Sequence, residues 1–201
     1  MLIGFDFDNT IVNYESLFHK VAVEQKVVPP TIDVNKIAVR NYLRNEDKEN
    51  IWTEMQGYVY GERMQEATPF EGVIGFLAEA RKQGHELRIV SHKTRFPFMG
   101  PKYDLHASAI KWIETHLCQD GIPLFFSHQY FFEQTKDEKI DRITSCGCEV
   151  YIDDLPEILL HKHFPETTVK YLFDPEKQHA GEEFPVLKPV HSWEQLRREL
   201  L

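Results

Sequence analysis

The first ten residues constrain this chain more than any other stretch. Residues 2–7 read LIGFDF, an apolar run too brief for a helix, which predicts a buried strand. It closes in Asp6-Phe7-Asp8-Asn9-Thr10. Alternate residues of a strand share a face, so Asp6 and Asp8 are expected to project toward a common point. Two later runs have the same character: ELRIVS at 86–91, ending in Ser91, and CEVYID at 148–153, followed by Asp154. A fourth candidate is VKYLF at 169–173. Apolar strands that finish in carboxylate and hydroxyl residues place reactive groups at one sheet edge, where open α/β sheets bind ligands.

Helical patterns lie between these strands. Phe70, Val73, Phe76, Leu77 and Ala80 share one helical face, with Gly84 as the expected C-cap. Ala107, Ile110, Ile113 and Leu117 do the same within 104–118. Thr135 and Glu138 have capping-box spacing ahead of a helix with Ile140 and Ile143 inward. Strands alternating with helices of this length predict a doubly wound α/β fold with a mainly parallel sheet. Residues 14–68 break the rhythm. They carry helical stretches, many charges and the aromatics Trp52, Tyr58 and Tyr60, and Pro29-Pro30 and Thr68-Pro69 punctuate them. The expected organisation is a core of 1–13 and 69–201 interrupted by a helical cap insertion at 14–68.

Bulk properties narrow the function classes. A chain of 201 residues suits one domain with a small insertion. A net charge of −9 argues against nucleic acid as a partner, because phosphate contacts dominate that affinity. No apolar run approaches the roughly 20 residues that span a bilayer, so no membrane association is expected. The start, MLIGFDFDNT, lacks the basic region of a secretion signal. Three cysteines, Cys118, Cys146 and Cys148, cannot pair evenly, which fits a reduced, cytoplasmic setting. Cys146 and Cys148 with His161 and His163 superficially suggest zinc, but the spacing is not that of a zinc finger.

Asp6, Asp8, Asp153 and Asp154 converging at one edge would repel strongly without a divalent cation among them. Oxygen-only ligands suit a hard ion, and magnesium is the usual choice where phosphate oxygens complete the shell. At these residues the sequence resembles the haloacid dehalogenase superfamily over nearly its whole length. Asp6 to Thr10 look like the first motif, Ser91 the second and Asp153-Asp154 the fourth. The resemblance implies that Asp6 forms an aspartyl-phosphate and that Asp8 is the general acid and base. Ser91 would bond a phosphoryl oxygen. Magnesium would be held by Asp6, the Asp8 carbonyl and Asp154, with Asp153 outside or acting through water. Superfamily members that cleave carbon–halogen bonds lack the second aspartate, so Asp8 points to phosphate chemistry.

The third motif is a lysine, and two compete. In phosphoserine-phosphatase-like members it stands at a helix start, seven residues before an apolar position. Lys136 and Ile143 have that spacing, which favours Lys136 over Lys139. Its charge would neutralise Asp6 and a phosphoryl oxygen. Thr10 and the run His92-Lys93-Thr94-Arg95 after Ser91 contribute candidate substrate-binding residues in Thr10, His92, Lys93 and Arg95, with a solvated loop as an equal alternative for Lys93 and Arg95. A helical insertion after the first motif looks like the cap of members acting on small phosphorylated metabolites. A phosphotransferase would share all four motifs, whereas a non-catalytic relative should have lost one of them.

Overall fold

In the computed structural model, which describes residues 1–201, the apolar run at the N-terminus is the strand Leu2–Phe5 of a six-stranded sheet. On one side of it lie Glu86–His92 and then Tyr130–Glu133. On the other lie Val150–Asp153, Val169–Phe173 and Lys188–Val190. Every pairing is parallel. The order makes the sheet doubly wound, with its switch point between Leu2–Phe5 and Val150–Asp153, where a crevice opens beyond the strand ends. All three motif strands are therefore neighbours at the centre. Tyr130–Glu133 and Lys188–Val190 were not anticipated. The first mixes aromatic and polar residues, and the second is three residues long and contains Pro189, tolerable only at an edge.

By contacts the chain divides into two units. The first comprises Met1–Val12, Pro69–Lys93 and Leu117–Leu201 and contains the sheet. Its helices include Val73–Lys82, Lys136–Cys146 and Trp193–Leu200. Val73, Phe76, Leu77 and Ala80 are buried as their spacing predicts. The capping box is present: the Thr135 hydroxyl accepts from the Glu138 N–H and the Glu138 carboxylate accepts from the Thr135 N–H. Gly84 follows this unit's first helix at φ +82°, a left-handed turn that glycine adopts without strain. Gly4 is required for another reason. A Cβ there would come within 2.6 Å of the Tyr151 ring and 2.8 Å of Cys148 Sγ. Trp193 reaches back across the unit: its indole N–H donates to the Thr10 carbonyl at 3.1 Å, and its ring packs on Phe5, Phe76 and Phe173.

The second unit comprises Asn13–Thr68 and Thr94–His116. It holds the helices Glu15–Glu24, Lys36–Asn45, Glu49–Tyr60 and Leu105–His116. Thr94–His116, expected in the core domain, instead clusters with the insertion. The reason is local: the Trp112 indole donates to the Ala67 carbonyl at 2.9 Å, and the Gln65 amide to the Ser108 carbonyl at 3.1 Å. The expected helix face is met in part. Ile113 and Leu117 are buried as their spacing predicts, and Leu105, Ala109 and Trp112 join them, whereas Ala107 is exposed. Both sets have helical spacing, and the one containing Trp112 buries far more apolar area. Trp52 is 2% exposed against Phe18, and Tyr60 packs on Tyr14 and Phe18, so these aromatics build the unit's interior. No helix is long and apolar enough to cross a membrane.

Candidate active site

Asp6 follows the central strand directly, and its N–H continues the ladder to the Ile152 carbonyl at 2.8 Å. The next residues form a tight loop. Ile11 and Val12 N–H both return to the Phe7 carbonyl, and Asn9 takes φ +58°. Asparagine tolerates that left-handed conformation better than most residues. The loop ends the strand instead of extending it.

The Asp6 carboxylate is 5% exposed. Its Oδ1 accepts the Ser91 hydroxyl at 2.9 Å and the Lys139 ammonium at 2.6 Å. Lys139 also donates to Asp153 Oδ2 at 2.6 Å. Asp153 Oδ1 takes the Leu155 N–H, and the fully buried Thr10 hydroxyl donates to Asp154 Oδ1 at 3.4 Å. Burial pushes the Asp6 carboxyl up to about 7; Lys139 opposes the shift, and Asp153 and Asp8 add to it. Burial works to lower the Lys139 ammonium, but Asp153 and Asp6 outweigh it and hold the group above the ordinary lysine value.

The lysine expectation is corrected here. Lys136 lies on the surface with its ammonium 2.6 Å from Glu157, whereas Lys139 is 1% exposed among the carboxylates. Helical side chains lean toward the helix N-terminus. From the second turn Lys139 reaches back to the strand ends, and from the first residue Lys136 overshoots them. The remaining candidates also differ from a simple substrate-binding row. Thr10 is turned to Asp154. His92 bonds the Gln134 carbonyl at 3.1 Å, and burial lowers its imidazole. Lys93 is buried and grips both Asp8 oxygens, at 2.9 and 2.7 Å. Arg95 pairs with Asp104 within the second unit.

One oxygen from each of Asp6, Asp153 and Asp154 lies within 4.8 Å of the others. The Asp8 carboxylate, occupied by Lys93, is outside this set. The three carboxylates of this set against the Lys139 ammonium leave two negative charges, so the donor set fits one hard divalent cation. A second group, Asp137, His161 and His163, is accounted for by hydrogen bonding: His161 Nε2 is 3.3 Å from Asp137, and its Nδ1 faces the His163 N–H at 3.4 Å. Burial pushes the Cys148 thiol up to about 12, away from thiolate chemistry.

No family model matches the chain. Two bacterial proteins that carry the name "Putative nucleotidase" are similar to it. The one from Bacillus cereus is 24% identical over 168 residues and the one from Oceanobacillus iheyensis 22% over 169, each match covering 79% of both chains. Among solved structures, a haloacid dehalogenase-family hydrolase from Deinococcus radiodurans, with bound phosphate and sodium, superposes with a TM-score of 0.62. It is 14% identical, and the match covers 99% of this chain and 94% of that one. A haloacid dehalogenase-family IA hydrolase from Entamoeba histolytica gives 0.59 at 12% identity, covering 96% and 94%. The chain has the haloacid dehalogenase fold. Within that fold, Asp6, Ser91, Lys139 and Asp153-Asp154 arrive at one point from three adjacent strands and one helix. The signal that marks Lys139 in the sequence is its place four residues before Ile143, on the buried face of its helix.

Proposed function

We propose that the protein is a magnesium-dependent phosphomonoester hydrolase, a phosphatase acting on small phosphorylated metabolites through an aspartyl-phosphate on Asp6. The environment of Asp6 carries this reading. Ser91 and Lys139 both bond its Oδ1, which leaves Oδ2 to attack phosphorus. In the first step the Asp6 oxygen bonds to phosphorus, the bond to the leaving oxygen breaks, and Asp8 gives that oxygen a proton. In the second, Asp8 takes a proton from water, which attacks phosphorus and frees Asp6. Ser91 and Lys139 hold the Asp6 carboxylate in place before substrate arrives, so little reorganisation of the nucleophile is needed at the moment of reaction. Asp6 and Asp154, with the Asp8 carbonyl, would hold magnesium, and Asp153 orients Lys139. Bound magnesium supplies charge neutralisation for the phosphoryl oxygens.

The names of the two bacterial relatives put nucleoside phosphates first among substrates to try, followed by sugar phosphates. We assign choice of the non-phosphate part to the second unit, by residues other than the interior Trp52. The test is a phosphate-release screen with magnesium against a panel of phosphomonoesters, run beside Asp6→Asn. Release that needs magnesium and vanishes in Asp6→Asn supports the reading; release that survives in excess chelator sinks it.

A further inference from the structure

Lys93 is not needed by the mechanism above, yet it is among the most deeply buried charges in the chain. It is 4% exposed, and its ammonium meets Asp8 Oδ1 at 2.9 Å and Oδ2 at 2.7 Å. Burying an ammonium is costly unless it is paired, so this contact has to offset a substantial desolvation. Both sides of the contact are fixed. The Lys93 N–H donates to the Glu133 carbonyl at 2.8 Å, just past the strand Glu86–His92, and its ammonium lies 5.7 Å from the centre of the Phe7 ring. Asp8 stands in the loop closed by the Ile11 and Val12 N–H bonds to Phe7, and it bridges to Val12. A carboxylate held at both oxygens by one buried ammonium cannot turn about its terminal bond without breaking a contact.

We propose that Lys93 is a positioning residue that fixes the orientation of the Asp8 carboxyl toward the leaving oxygen, rather than a ligand for the substrate phosphate. This rests on the reading of Asp8 as the general acid. Asp8 enters the step as the carboxylic acid and gives up its own proton, and Lys93 donates none; it sets where the donor points. The alternative, a phosphate ligand, would present the ammonium to the substrate and leave Asp8 free to rotate. The single ammonium is engaged on the opposite task. An acid misplaced by a fraction of an ångström loses much of its effect, while nucleophilic attack by Asp6 is untouched.

Leaving groups separate the two roles. The parameter kcat/KM reports the step in which Asp6 attacks and the alcohol departs. An alkyl phosphate needs its leaving oxygen protonated; p-nitrophenyl phosphate, whose phenolate leaves unaided, scarcely does. In Lys93→Met with magnesium, kcat/KM on an alkyl phosphate is expected to fall about 10²-fold, the usual scale for general acid catalysis, against less than about 5-fold on p-nitrophenyl phosphate. Lys93→Arg, which restores a cation, should recover part of the alkyl-phosphate loss. In an Asp8→Asn background, Lys93→Met should change nothing further. Equal losses on both substrates, a raised inhibition constant for inorganic phosphate, or a full additional loss in the Asp8→Asn background would each overturn the proposal. Should Lys93→Met melt early, the Lys93→Arg variant carries the same comparison between substrates. Failure of the hydrolase reading is distinct, since the unmodified protein would then release no phosphate from either ester.

Discussion

The two units bury different things. Every buried polar or charged residue, including Asp6, Thr10, Ser91, Lys93, Lys139 and Asp153, belongs to the first. The second encloses Leu17, Phe18, Leu43, Trp52, Met55 and Trp112, and keeps its charges outside in pairs such as Arg63 with Glu24 and Arg44 with Glu49. An apolar interior is assembled for stability, and each polar group brought inside would cost free energy unless it were matched by a partner. The first unit bears that cost at one strand edge, so its interior carries constraints that stability alone does not explain. Substitutions should therefore separate activity from stability in the first unit and leave them coupled in the second.

The sharpest break is Asp6→Asn. It should lower turnover by at least about 10³-fold, as loss of a nucleophile does, while the metal-free protein melts no lower than before. Retention of a tenth of the original rate would contradict the assignment. Next comes the contrast between two lysines of one helix. Lys139→Met leaves Asp6 and Asp153 without their shared cation and should cost about 3–5 kcal/mol, with a large loss of activity. Lys136→Met removes only an exposed ion pair with Glu157 and should cost less than about 1 kcal/mol at unchanged activity. Equal effects would mean that the placement of Lys139 is wrong.

A smaller effect concerns pH. The Asp6 carboxyl rises from 3.8 in a free chain to about 7 when folded without metal. A group raised on folding contributes stability that is complete below about 4 and is lost as pH climbs through about 7. Magnesium held at Asp6, as proposed, would compete with that proton, so the rise in melting temperature on adding magnesium should grow between pH 5 and 8. Scanning melts with magnesium and with chelator across that range checks it; a gain independent of pH, or one unchanged in Asp6→Asn, would contradict it. The smallest effect lies in the second unit. Arg63→Ala breaks pairs with Glu24 and Glu66 at its surface and should cost about 1 kcal/mol without altering hydrolysis of p-nitrophenyl phosphate.

The central strands were legible because they are largely buried, so LIGF, ELRIVS and VYID read as mostly apolar runs, whereas the edge strands Tyr130–Glu133 and Lys188–Val190 did not. The capping box at Thr135 was legible because it is a local hydrogen-bond pattern with fixed spacing. The third-motif lysine was misread because linear spacing carries no direction: Lys136 and Lys139 both lie near the buried face, and only the backward lean of helical side chains separates them. The join of Thr94–His116 to the second unit was hidden for a different reason. It depends on Trp112 meeting Ala67, 45 residues away, and amphipathic periodicity does not say which partner a face will choose. Lys93 read as a substrate-binding residue or, equally, a solvated cation, because nothing local reveals an acceptor 85 residues earlier in the chain.

The indole of Trp193 held against the Thr10 carbonyl joins residues 183 positions apart. A growing chain emits Thr10 183 residues before Trp193. At about 5–20 residues per second, the loop that carries Asp6 waits on the order of ten seconds or more for the ring that backs it. During that interval Phe5, Phe76 and Phe173 have no Trp193 to pack against, and the central strand lacks its final cover. The order of synthesis thus separates the making of the Asp6 loop from its securing by 183 residues.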